Sequence, residues 1–81
     1  MSEKIMLYSR EKCHLCEKAK VELNAVSERT GMAYDIIDIH SDDALLEMYS
    51  LMIPVVVYKG EIIQYGKVNK DSVINYLKSG I

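Results

Sequence analysis

The stretch Cys13-His14-Leu15-Cys16 constrains this chain most, because it holds all of its cysteine and stands between two different periodicities. Before it runs a continuous apolar segment, Ile5-Met6-Leu7-Tyr8, and then the polar loop Ser9-Arg10-Glu11-Lys12. Behind it, Leu15, Ala19, Leu23 and Val26 recur at helical steps. The pair therefore sits where a strand hands over to a helix, with Cys13 at or just before the first turn. Residues three apart on a helix are neighbours, with Cβ atoms about 5–6 Å apart, close to the span of a disulfide. A dithiol placed here closes and reopens with little backbone motion.

The rest of the chain reads as alternating short elements. Lys4 to Tyr8 is predicted to be a strand covered on both faces, since its apolar residues are continuous rather than alternating. A helix from Cys13 to Thr30 follows, ended by Gly31 as a left-handed cap. Tyr34 to Ile39 reads as a second strand with Ile37 and Ile39 on one face. Ser41-Asp42-Asp43 opens a second helix, with Ser41 as the cap and the two acids against the positive end of the dipole. Leu45, Met48, Tyr49 and Met52 form its inner stripe. Pro54 starts a third strand, Val55 to Lys59, and the turn Lys59-Gly60 leads into Glu61 to Tyr65 as an antiparallel hairpin. Asn69 or Asp71 caps a last helix through Lys78, packed by Val73, Ile74 and Leu77.

The predicted order is βαβαββα in one domain over residues 1–81: an α/β architecture with a four-stranded mixed sheet and three helices. The first three elements form a right-handed crossover. A reactive pair at that strand-to-helix junction lies at the carboxyl end of a strand, where open sheets of this kind place their sites.

Composition narrows the function classes. With 81 residues, 49% hydrophobic and 27% charged, the chain is an ordinary globular one, and its net charge of −2 does not suit nucleic acid or an anionic membrane. The apolar run from Leu51 to Tyr58 is too short to span a bilayer and is broken by Pro54. The start, Met1-Ser2-Glu3-Lys4, lacks a secretory pattern. Two cysteines in such a chain point to a reducing compartment, read as the cytoplasm, and to a reactive or metal-binding role.

These features together resemble the glutaredoxins and the small glutaredoxin-like branch of the thioredoxin-fold superfamily, over nearly the whole chain. The resemblance rests on the strand leading through Ser9-Arg10 to Cys13-x-x-Cys16, on Ile53-Pro54 opening the third strand, on the Val55–Tyr65 hairpin, and on Gly66 before a polar turn and the last helix. It implies a thioredoxin fold, a cis bond before Pro54, and dithiol–disulfide oxidoreductase activity on protein disulfides or glutathione mixed disulfides. It also implies glutathione as reductant, with no bound cofactor and no metal, and a monomer whose partners are glutathione and disulfide-bearing or glutathionylated proteins. The implied glutathione contacts are Arg10, Lys12, Leu15, the backbone of Ile53 with Pro54, and the turn Asn69-Lys70-Asp71. Glutathione-using relatives usually carry proline-tyrosine between the cysteines and threonine-valine before the proline; here His14-Leu15 and Met52-Ile53 stand in those places.

The thiolate is the attacking form of a cysteine. At a helix N-terminus Cys13 meets unpaired backbone N–H groups and the positive end of the dipole, and Arg10 and Lys12 add positive charge. Cys13 is thus expected to be the exposed attacking thiol and Cys16, one turn in, the covered resolving thiol. His14, on the first turn, is a candidate for tuning the thiolate. Other readings of the same residues are two structural cysteines, a zinc site using His14 and His40, an iron–sulfur cluster shared between two protomers, an adaptor on the same fold, and a redoxin reduced by a thioredoxin reductase. Asp38 and His40 are read as solvent-facing.

Overall fold

The structure, a computed structural model, describes residues 4–79; Met1-Ser2-Glu3 and residues 80–81 of the expected 1–81 unit lie outside them. Strand β1 (Ile5–Ser9) leads to helix α1 (His14–Thr30), and β2 (Tyr34–Asp38) follows. A single 3-10 turn (Ile39–Ser41) enters α2 (Asp43–Tyr49), and then come β3 (Val55–Tyr58), β4 (Glu61–Tyr65) and α3 (Lys70–Ser79). The sheet runs β2-β1-β3-β4, with β1 parallel to β2 and antiparallel to β3, and β3 antiparallel to β4. The α/β order expected from the sequence is the observed one.

Side-chain alternation along β1 explains why its apolar run is continuous. Ile5 and Leu7 point to one face, against Ala19, Leu23 and Val26 of α1 and Val68, Val73 and Ile74 at and in α3. Met6 and Tyr8 point to the other, where Ile39, Tyr49, Leu45, Leu46 and Met52 gather. Strand β3 divides the same way, Val56 toward α1 and α3, Val55 and Val57 toward α2. A strand covered on both faces must be apolar at every position. On the α2 face Tyr8 and Tyr49 stack with ring centroids 4.8 Å apart, and burial, followed by the nearby Tyr49, pushes the Tyr8 phenol above its ordinary value.

Local chemistry sets the ends of the elements. Gly31 adopts φ 75°, and its N–H donates to the Ser27 carbonyl at 2.9 Å, closing α1 as predicted. Lys59 and Gly60 both have positive φ, 53° and 78°, which is the turn that matches hairpin twist. Asn69, not Asp71, caps α3: its Oδ1 accepts the Ser72 N–H at 3.1 Å.

Four local expectations are corrected. Ser41 is not the cap of α2, because the chain first makes a 3-10 turn; the Ser41 hydroxyl donates to the Asp38 carbonyl, and Asp42 caps instead, its Oδ1 accepting the Ala44 N–H at 2.8 Å. In α2, Met48 faces solvent, and Leu46 packs inside beside Leu45 and Tyr49. In α1 the buried stripe begins at Cys16 rather than Leu15, which is 45% exposed. Strand β2 also ends at Asp38, leaving Ile39 buried within the 3-10 turn.

Leu23 is fully buried at the centre of the α1 face. Leu23→Ala is expected to lower the unfolding free energy by about 2–5 kcal/mol in urea titration. Val21→Ala, two positions earlier but 64% exposed, is expected to change it by less than about 0.5 kcal/mol.

Candidate active site

Packing of α1 on β1 decides where the two sulfurs stand. Ser9 ends β1 buried, three residues cross to the helix, and Cys13 becomes the N-cap of α1 with extended backbone, φ −112° and ψ 110°. Lys12, just before it, is held at φ 57°, a left-handed conformation that costs a non-glycine residue about 1 kcal/mol or more. This sharp bend lets the chain turn from strand into helix within a short loop.

Cys13 and Cys16 form a disulfide with Cα atoms 5.1 Å apart. The Cys13 sulfur also accepts the Cys16 backbone N–H at 3.2 Å, and the Cys13 carbonyl accepts the Glu17 N–H at 3.1 Å. The sulfur thus occupies the place a serine or aspartate oxygen takes at an ordinary N-cap. When the bond is reduced, the same N–H and the helix dipole favour a negative sulfur at Cys13. Cys16 is fully covered. Cys13 is 8% exposed in the disulfide form, so it is the less covered of the two cysteines.

The Ile53–Pro54 bond is cis. Pairing of Tyr8 with Val55 sets Ile53-Pro54 beside the end of β1 that leads to Cys13. Gly66 ties this loop to the end of the hairpin, its N–H donating to the carbonyls of Met52 at 3.1 Å and Pro54 at 2.8 Å. The Ile53 N–H is not open to a ligand, since it donates to the Tyr49 carbonyl at 3.1 Å. Donors expected from the Asn69-Lys70-Asp71 turn are engaged as well. The Asn69 N–H donates to Gln64 Oε1 at 2.8 Å and the Lys70 N–H to Glu22 Oε1 at 3.0 Å, while the Asp71 carboxylate pairs with Arg29 at 3.5 Å. These donors share one circumstance: neighbouring segments, α2 for Ile53 and the hairpin and α1 for the turn before α3, satisfy them within the fold.

Two hollows are lined in part by residues close to the pair in sequence. Leu15 and Asn69 share a groove of about 520 Å³ between α1 and the β4–α3 connection. Arg10 lines a separate cleft of about 160 Å³ at the ends of β1 and β2, together with Lys20 and Asp38. Lys12, Ile53, Pro54, Lys70 and Asp71 line neither of these two. His14 is exposed on the first turn of α1, and His40 and Asp38 face solvent, with Asp38 accepting the His40 N–H at 2.8 Å. Among the described residues no group of three or more His, Cys, Asp or Glu is gathered for a metal ion, and none of their helices is long and apolar enough to cross a membrane. Sequence reasoning missed the groove walls, Lys18, Val21 and Lys67 among them; the signal was the spacing of Leu15, Lys18 and Val21 along one side of α1.

A disulfide across the first turn of α1, on a β2-β1-β3-β4 sheet with a cis-proline at the head of β3, defines a thioredoxin-fold domain of thiol–disulfide redox function. The chain belongs to the glutaredoxin-like domain family (DUF836), whose model matches residues 4–78. No curated protein sequence matches it. Among solved structures it is similar to the protein Ne2328 of Nitrosomonas europaea, with 23% identity over 94% of this chain and 92% of that one and a TM-score of 0.80. It is likewise similar to the target protein XcR50 of X. campestris, with 28% identity, 93% and 96% coverage and a TM-score of 0.77. A buckwheat glutaredoxin–glutathione complex shares the fold at 20% identity and a TM-score of 0.52, over 96% of this chain and 71% of that one.

In fully reduced protein below neutral pH, limiting iodoacetamide is expected to label Cys13 well ahead of Cys16, read by peptide mass spectrometry. Cys13→Ser is expected to abolish disulfide exchange, and Cys16→Ser to accumulate mixed disulfides on Cys13. Label found mainly on Cys16 would reverse the two roles.

Proposed function

We propose that the protein is a glutaredoxin-like dithiol–disulfide oxidoreductase that reduces protein disulfides and glutathione mixed disulfides, with glutathione as its reductant. The observation that carries this reading is the Cys13 sulfur at the N-cap of α1, receiving the Cys16 N–H at 3.2 Å, with the second sulfur covered one turn inside. The Cys13 thiolate attacks one sulfur of a substrate disulfide. A bond forms between Cys13 and that sulfur, the substrate S–S bond breaks, and the other substrate sulfur leaves as a thiolate and takes up a proton. The Cys16 thiolate then attacks the Cys13 sulfur, closing the internal disulfide and releasing the second substrate thiol. The substrate gains two electrons and the protein loses two. Two glutathione molecules reverse the change: the first forms a mixed disulfide at Cys13, the second attacks its glutathione sulfur, and glutathione disulfide leaves.

In this reading the protein acts in the cytoplasm as a monomer, without bound cofactor, metal, nucleic acid or membrane. Arg10 and Lys12 meet the carboxylates of glutathione, and Leu15 lies along its backbone. A ligand strand beside Ile53-Pro54 has the Ile53 carbonyl to pair with, the N–H being committed to Tyr49. The internal bonds of the Ile53, Asn69 and Lys70 N–H groups favour one alternative donor, a thioredoxin-reductase-type enzyme, because they leave glutathione fewer contacts.

Arg10→Ala is expected to raise the apparent KM for a glutathionylated peptide by roughly three- to tenfold, the scale of one charge-assisted contact at a solvent-facing site. Wild-type protein is expected to reduce that peptide in a glutathione, glutathione reductase and NADPH coupled assay. No turnover there, together with efficient reduction by NADPH and a thioredoxin reductase, would replace glutathione as donor.

A further inference from the structure

The groove beside the disulfide has an apolar floor and an unbalanced rim. Leu15 and Val21 are 45% and 64% exposed along its α1 wall, and Val68 closes it from the β4–α3 connection. Lys18 and Lys67 stand on opposite walls. Among the described residues neither has an ion pair, whereas Lys4, Lys20 and Arg29 are paired with Asp35, Glu17 and Asp71. The groove's own acid, Glu22, is engaged within it, its Oε1 accepting the Lys70 N–H at 3.0 Å. In a chain of net charge −2, two lysines against one hydrogen-bonded glutamate leave a net positive rim on an apolar trough that reaches Leu15, the residue before Cys16.

Its length is set by α1. From Leu15 to Val21 the helix advances about 9 Å. An extended segment covers that distance in about three residues. The volume, about 520 Å³, lies within the range of sites that enclose a ligand. Because Leu15 stands between the two cysteines, a chain whose sulfur is at Cys13 enters the trough with its neighbouring residues.

We propose that this trough docks the two or three residues beside the reactive cysteine of a partner protein, and that these residues are acidic with one apolar side chain. The apolar side chain covers Leu15 and Val21, and the carboxylates meet Lys18 and Lys67. The inference rests on the thiol–disulfide reading of Cys13 and Cys16, and adds to it the chemistry of the protein substrate.

The test compares two symmetrical peptide disulfides, one built from Glu-Glu-Leu-Cys-Leu-Glu-Glu and one from Lys-Lys-Leu-Cys-Leu-Lys-Lys. Pre-reduced protein is mixed with each, and the rates are normalised to that with uncharged hydroxyethyl disulfide. The acidic peptide is expected to react about three- to tenfold faster, the scale of two exposed charge contacts, with an advantage that shrinks as salt is added. The double variant K18E/K67E is expected to invert the preference. Equal rates in wild-type protein, or a preference that survives in the double variant, would overturn the docking inference. Failure to reduce hydroxyethyl disulfide itself would instead refute the redox reading. In that event the same peptides with serine for cysteine decide docking: the acidic one is expected to shift the amide resonances of Lys18, Val21 and Lys67, and absence of a shift overturns it.

Discussion

Burial of β1 on all four sides is the constraint on which the rest of the molecule depends. Its edges are taken by β2 and β3, and its faces by α1 with α3 and by α2. A one-residue slip would exchange Ile5 and Leu7 with Met6 and Tyr8, presenting the wrong shapes to both layers at once. The register is therefore fixed, and with it the place where the strand ends. From Ser9 only a short loop remains before α1, whose own position is set by Ala19, Leu23 and Val26 against the same strand. The two sulfurs stand at the carboxyl end of β1 as a consequence of core packing some way behind them.

The chemistry of the pair follows from the geometry of one helix turn. A helix N-terminus has N–H groups without intrahelical partners, and here a sulfur accepts one of them. The other sulfur is sealed by the same helix face that fills the core. One turn thus makes two chemically identical side chains unequal: the Cys13 sulfur accepts a helix N–H and keeps an edge at solvent, while Cys16 is shielded. No other ionisable group is needed at bonding distance for that asymmetry.

Around this centre the fold spends its polar backbone on itself. Gly66 bridges Met52 and Pro54, Tyr49 takes the Ile53 N–H, and Gln64 and Glu22 take the first N–H groups at α3. In the proposed function, recognition beyond the sulfurs falls to side chains: the cations Arg10, Lys12, Lys18 and Lys67, and the exposed apolar surface of Leu15 and Val21. Contacts of that kind select by charge and shape rather than by fixed hydrogen-bond geometry.

Much of this was legible before any coordinates. The continuous run Ile5 to Tyr8, the helical spacing through Val26, Gly31 as a stop and Lys59-Gly60 as a turn each carry a local physical signal, and each element stands where that signal placed it. The pairing of Cys13 with Cys16 belongs to the same group, because three residues along a helix set the distance. What the residues alone did not decide were choices between neighbours of similar character. Cys16 rather than Leu15 faces the core, since the helix rotates to seat Ala19 and Leu23 on β1; Asp42 rather than Ser41 caps α2, since a 3-10 turn intervenes. The engagement of the Ile53, Asn69 and Lys70 N–H groups likewise depends on partners up to 48 residues away in sequence. Local order is written in spacing that a single segment can satisfy, whereas the facing of a helix and the fate of a loop N–H are settled only when distant segments compete for the same space and the same donors.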